Sequence, residues 1–190
     1  VEDFYNSLLY LGGNMKYYEL SVAGLVRELP IIRIKPGLSI ASFVILGDCE
    51  MVTAAAPLIA DKLPEIDYIM TAEAKGIPLV NEVCRILCHS RYVVARKSVK
   101  SYMDAPLEIE VESITTQRLY LDKNDTEMIK GKRVAILDDV ISSGESLKAL
   151  EKLAEKAGAV VVAKAAILAE GEAAERDDII FLERLPLIYG

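Results

Sequence analysis

The chain has 190 residues, 52% hydrophobic and 27% charged. That balance excludes a disordered chain and suits one folded domain, or one domain with a small appendage. Its 22 Lys and Arg against 29 Asp and Glu leave a formal net charge of −7, which argues against bulk binding to nucleic acid or to an anionic membrane.

Residues 1–45 do not follow a strand–helix rhythm and are assigned to a small N-terminal hood. The acidic start, residues 1–13, lacks the basic region of a signal peptide. The early tyrosines Tyr5, Tyr10, Tyr17 and Tyr18 suit packing or an interface. Residues 46–190 form the expected core, in which strands and helices alternate. Asp48 is placed to cap a helix over 49–62, with Met51, Val52, Ala55, Leu58, Ile59 and Leu63 on one stripe and a kink or late start possible at Pro57. Residues 67–72 predict a buried strand, and 77–89 a helix. Residues 91–96 are the next strand, 97–110 a long loop, and 111–121 extended chain or a hairpin. Residues 132–139 give the strongest strand signal, followed by a helix over 145–157 and strands over 159–168 and 178–182. No run of about 18 apolar residues marks a membrane span.

Continuous apolar strands alternating with helices predict an α/β fold, a mostly parallel central sheet with helices on both faces. Such sheets bind ligands at the carboxyl ends of their strands. The segments following Ala72, Ala95, Leu137 and Leu168 are therefore the places where chemistry is expected.

The sharpest signal lies at 134–146. A buried strand delivers Asp138 and Asp139, and a turn of Ser142, Ser143, Gly144, Glu145 and Ser146 opens a helix. Free N–H groups at a helix N-terminus favour an anion, and the serine hydroxyls add donors. Two carboxylates beside that seat repel a phosphate but suit neutral sugar hydroxyls. A ribose 5-phosphate satisfies both halves. The competing readings are a strand ending in a solvated acid pair, and the acid pocket of a receiver domain, which would stand near the domain's start rather than at 138. A second turn holds Glu73, Ala74, Lys75 and Gly76, which suits pyrophosphate or an ordinary capped turn. A third segment clusters Arg96, Lys97 and Lys100 after a strand, where a solvated basic loop is the plain alternative.

Residues 134–146 resemble the phosphoribosyl-pyrophosphate (PRPP) motif of the type I phosphoribosyltransferases, with Ser143 and Ser146 at the usual Thr positions and Glu145 where the family often has Gly. Residues 73–76 resemble the pyrophosphate loop of the adenine enzymes, with Lys75 for Arg. The resemblance implies a non-proline cis peptide near Glu73–Ala74. It also gives Arg96 and Lys97 a role on pyrophosphate, reached across a dimer interface, and makes 97–116 a flap that closes over substrates. Gln117 stands where the adenine enzymes carry a Glu, and a neutral amide does no acid–base work. The chain also lacks their Phe-Arg-Asp within 36–48. Ser113–Gln117, Ala95–Lys97 and Ser42–Phe43 are closer to the xanthine enzymes. The resemblance covers about residues 40–185. It implies a purine phosphoribosyltransferase acting on PRPP and a purine base of adenine or xanthine/guanine type, with Mg²⁺ arriving through PRPP. It further implies a homodimer, and a base site touching Ala169 and Glu170. The alternative is a non-catalytic PRPP-sensing regulator, although 1–45 holds no basic recognition helix.

Three cysteines, Cys49, Cys84 and Cys88, form no disulfide framework and point to a reducing cytoplasm. Cys84 and Cys88 share an apolar helical face and read as core thiols. With His89 they lack the second ligand pair that zinc requires.

Overall fold

The computed structural model describes residues 16–111 and 117–190. Three strands, β1 (Tyr17–Val22), β2 (Leu25–Lys35) and β3 (Leu38–Ala41), open the described chain as an antiparallel meander. The core follows with α1 (Cys49–Ala60), β4 (Tyr68–Ala72), α2 (Ile77–Ile86) and β5 (Val93–Ala95). Then come a hairpin of β6 (Leu107–Val111) and β7 (Gln117–Leu121), and the short helix α3 (Lys123–Ile129). β8 (Arg133–Ile141), α4 (Glu145–Lys156), β9 (Val160–Glu170), a 3₁₀ turn (Gly171–Glu175), β10 (Ile180–Leu185) and β11 (Leu187–Tyr189) complete it.

The central sheet has the order β10-β9-β8-β4-β5, and every pairing is parallel. β8 shows why its sequence is apolar without alternation: both faces are covered. Ala135 and Leu137 join α1, α2 and the small sheet in one apolar cluster. Val134 and Ile136 join α4, α3 and the β6–β7 hairpin in the other. On α4, Leu147, Leu150, Leu153 and Ala154 are buried at helical spacing. Among the described residues, no helix is long and apolar enough to cross a membrane.

The small sheet has the order β1-β2-β3-β11. A division of the chain at 45/46 puts Leu187–Tyr189 with the core, yet their backbone pairs with β3. The small sheet is also tied to α1 through Arg27. Its guanidinium grips Asp48 at 2.8 and 3.1 Å, while Asp48 caps α1 by accepting the Met51 N–H at 3.0 Å.

Several elements differ from the sequence expectation. α1 runs through Pro57, which falls in its last turn, and Leu58 is 45% exposed rather than buried. α2 ends at Ile86, so Cys88 lies beyond it and is exposed, whereas Cys84 is buried. β6 begins inside the stretch assigned to loop, and α3 has no counterpart in the sequence expectation. β8 continues through the acid pair to Ile141, because Val140 and Ile141 still pair with Leu168 and Ala169.

Candidate active site

Between β8 and α4 the chain turns through Ser142, Ser143 and Gly144. Gly144 takes φ 76°, a left-handed conformation that costs a side chain dearly. The first helical bond runs from the Lys148 N–H to the Gly144 carbonyl at 2.8 Å. The N–H groups of residues 145–147 precede that ladder, as at any helix start. The Glu145 N–H leans only on Ser143 Oγ at 3.5 Å. Here Asp138, Ser142, Ser143, Gly144 and Ser146 form the polar side of a cavity of ≈ 60 Å³, whose other side is apolar, from Ile136 and Val140 of β8 to Leu150 of α4. At roughly 10–15 Å³ for each water-sized occupant, that holds a small tetrahedral anion.

Sequence reasoning missed Arg176. Asp178 holds its guanidinium at 2.8 and 2.7 Å, and a Cβ on Gly144 would sit 3.0 Å from Arg176 Nη1. A cation thus backs the turn. No local pattern marks it, because it lies in a charge-rich loop some thirty residues downstream.

The acid pair lies beside the turn. Asp139 is only 2% exposed, and Lys75 Nζ stands 3.3 Å from its Oδ2. This is a charge contact without hydrogen-bond alignment, since that oxygen has no hydrogen-bond partner among the described residues. Asp138 Oδ1 accepts the Asp139 N–H at 2.8 Å. Burial, and then the neighbouring Asp139 charge, push the Asp138 carboxyl well above the ordinary aspartate range.

On the adjacent strand, Glu73–Gly76 join β4 to α2, and the Glu73–Ala74 peptide is cis. Gly76 is required here by contact: a Cβ would fall 2.2 Å from Thr71 Oγ1 and 3.2 Å from Asp138 Cα. The Glu73 carboxylate accepts from Arg96 Nη1 and from the Lys97 N–H, both at 3.1 Å, and Lys100 Nζ is 3.5 Å away. Burial opposes its ionisation, but the Lys97 amide and Arg96 hold it below the usual glutamate range. Glu73 therefore gathers the basic cluster. Arg96 in turn exchanges two backbone bonds of 2.9 Å with Tyr120, which fastens the β6–β7 hairpin to the end of β5. Gln117 pairs through its backbone with Val111, while Ser113–Thr116 lie outside the described residues.

The remaining sequence candidates divide. Ala169 is fully buried in the core, so its side chain offers no surface to a ligand. Glu170 ends β9; burial raises its carboxyl, and the nearby Lys75 charge opposes that rise. Lys75 therefore stands within electrostatic reach of both Asp139 and Glu170. Four strand ends thus bring together an anion seat, an acid pair and a basic cluster. Among the described residues, no three His, Cys, Asp or Glu side chains form a metal nest.

Residues 50–185 match the family model of the phosphoribosyl transferase domain. The chain belongs to the phosphoribosyl transferase family. Within it, the chain is 37% identical over 114 residues to a hypoxanthine/guanine phosphoribosyltransferase of Methanothrix soehngenii, covering 58% of this chain and 56% of that protein. It is 34% identical over 123 residues to an adenine phosphoribosyltransferase of Thermosipho africanus, covering 63% and 69%. The match thus spans little more than half of the Methanothrix protein. The crystal structure of an adenine phosphoribosyltransferase from Thermoanaerobacter pseudethanolicus superposes with a TM-score of 0.69 at 23% identity, over 82% of this chain and 95% of that one. That likeness shows the phosphoribosyl transferase fold. The matched segment contains every candidate site residue, from Glu73 to Arg176.

Proposed function

We propose that this phosphoribosyl transferase moves ribose 5-phosphate from PRPP to a purine base, giving a nucleoside 5′-monophosphate and pyrophosphate. The observation that carries the proposal is the cavity at 142–146, bordered by the half-buried Asp138, with the buried Asp139 next to it on β8. A phosphate dianion fits the N–H-lined turn, with Arg176 behind it. Sugar hydroxyls, which donate, fit Asp138 and Asp139, which accept. Lys75 and the Arg96, Lys97 and Lys100 cluster, gathered at the neighbouring strand ends, suit the pyrophosphate. Mg²⁺ would be brought by PRPP rather than held by a nest of side chains among the described residues, and would supply charge neutralisation for the leaving pyrophosphate.

Displacement at the anomeric carbon develops positive charge on the sugar ring. The chain's part is to hold the two ends of PRPP apart and aligned, and to face the developing charge with fixed carboxylates. Lys75 leaves Asp139 for the pyrophosphate as the ribose hydroxyls take its place. The base is assigned to the neighbourhood of Glu170 at the end of β9, within electrostatic reach of Lys75. Relatives named for 6-oxopurines and for adenine both support a purine acceptor. The free thiols of Cys49, Cys84 and Cys88 support a cytoplasmic setting, and the family resemblance supports a homodimer.

The test is a turnover assay with PRPP, Mg²⁺ and, in turn, adenine, hypoxanthine, guanine and xanthine. Pyrophosphate release that depends on one of these bases is expected. Binding of PRPP with no release under any of them would mark a regulator instead.

A further inference from the structure

Thr71, the fourth residue of β4, has no exposed surface, and its hydroxyl has no hydrogen-bond partner among the described residues. A hydroxyl has one proton to donate and two lone pairs, and burying it unpaired is unfavourable. Its neighbours show what it is set against. The point where a Cβ on Gly76 would lie is 2.2 Å from Thr71 Oγ1 and 3.1 Å from Asp138 Oδ1. Hydroxyl and carboxylate therefore border the same small gap, which exists because residue 76 has no side chain. Strand parity adds the second acid. Met70 pairs with Ile136, so Thr71 stands beside Leu137, on the face that carries Asp139 two residues further along β8. Asp139 Oδ2 is another buried oxygen without a hydrogen-bond partner. An unpaired buried hydroxyl thus stands beside Asp138 at the carboxyl ends of adjacent strands, on the face that also carries Asp139, whose Oδ2 has the Lys75 charge at 3.3 Å.

We propose that Thr71 is a positioning residue for the acid pair, its hydroxyl donating a hydrogen bond to the carboxylates when they turn to grip the ribose. The inference rests on the phosphoribosyl transfer proposed above. Burial and then the neighbouring Asp139 charge favour the protonated form of Asp138, and a protonated carboxyl competes poorly for a sugar O–H. Lys75 faces the pair from the loop before α2, Glu170 faces Lys75 from β9, and the Asp139 N–H already serves Asp138. A neutral donor from β4 favours the ionised form of Asp138 without burying another charge.

The experiment compares Thr71→Val, close in shape but lacking the hydroxyl, with Thr71→Ser, which retains it. The measurements are kcat/KM for PRPP from pH 5.5 to 9 and Tm at each pH. For Thr71→Val the acid limb is expected to move up by about one pH unit, a loss of about tenfold near pH 6, with recovery towards wild type at the alkaline end. Thr71→Ser keeps the wild-type profile. Thr71→Ala, which adds no bulk, shows the same displaced limb. A Thr71→Val profile that coincides with wild type, or one lowered equally at every pH, overturns the proposal. Asp138→Asn is assayed beside them. Full activity there overturns the acid role itself and Thr71 with it, whereas lost activity there beside an undisplaced Thr71→Val profile overturns Thr71 alone.

Discussion

Gly76→Ala is expected to lower kcat/KM for PRPP by about 100-fold, the usual cost of displacing a reacting group by about an ångström. The new methyl would lie 2.2 Å from Thr71 Oγ1 and 3.1 Å from Asp138 Oδ1. Thr71 is β-branched and fully buried, so it has little freedom to turn aside. The strain is instead relieved by moving α2 and its leading loop away from β8. That movement separates Lys75 from Asp139 and the basic cluster from the phosphate seat. Overpacking of this kind costs about 1–3 kcal/mol, so Tm falls by roughly 3–10 °C. Combining it with Thr71→Ala removes the closest contact and restores part of the Tm. Wild-type kcat/KM in Gly76→Ala would show that the approach of loop and acid pair is not needed.

The second large effect belongs to the acids. Asp138→Asn together with Asp139→Asn removes two charged acceptors from the proposed ribose site. Hydrogen bonds to charged groups contribute about 1.5–3 kcal/mol each, so kcat/KM is expected to fall by about 10²–10⁴-fold. Stability should move the other way at high pH. The Asp138 carboxyl titrates above its unfolded value in the native state. Its stabilising contribution is therefore complete below the ordinary aspartate value and is lost as pH rises through the elevated native one. An amide carries no such charge. The Tm of Asp138→Asn relative to wild type is expected to be higher at pH 8 than at pH 5. A constant difference between those pH values would contradict the burial of charge, and unchanged kcat/KM in the double variant would contradict the ribose role.

The parts of the fold that sequence revealed are those where one local pattern carries the whole signal. β8 is an uninterrupted apolar run because helices cover both its faces, and α4 declares itself by leucines at helical spacing. The turn between them is legible because its chemistry is contiguous: acids, serines and a glycine within nine residues. What stayed hidden depends on distant partners. β11 looks like any short apolar end until its pairing with β3 is seen. Arg27 is one charge among many until it grips Asp48. Helix α3 spans only Lys123–Ile129, too short for a periodic stripe. Leu58 matched its stripe by spacing, but α1 meets the core through Met51, Ala55 and Ile59 at a slightly different angle. In the site, the loop residues were found, and their mutual arrangement was not. Glu73 stands among the anion binders in the sequence, yet its carboxylate organises the cations around it. Thr71 and Arg176 carry no motif and gain meaning only from what stands opposite them.

The central claim is that the turn after β8 seats a sugar phosphate while the neighbouring carboxylates take its hydroxyls. Titration calorimetry of the chain with PRPP and Mg²⁺ tests it most directly. A saturable heat at one molecule per chain is expected, competed by ribose 5-phosphate and strongly weakened in the Asp138→Asn, Asp139→Asn variant. Absence of binding heat at several temperatures, or the same affinity in that variant, would contradict the claim.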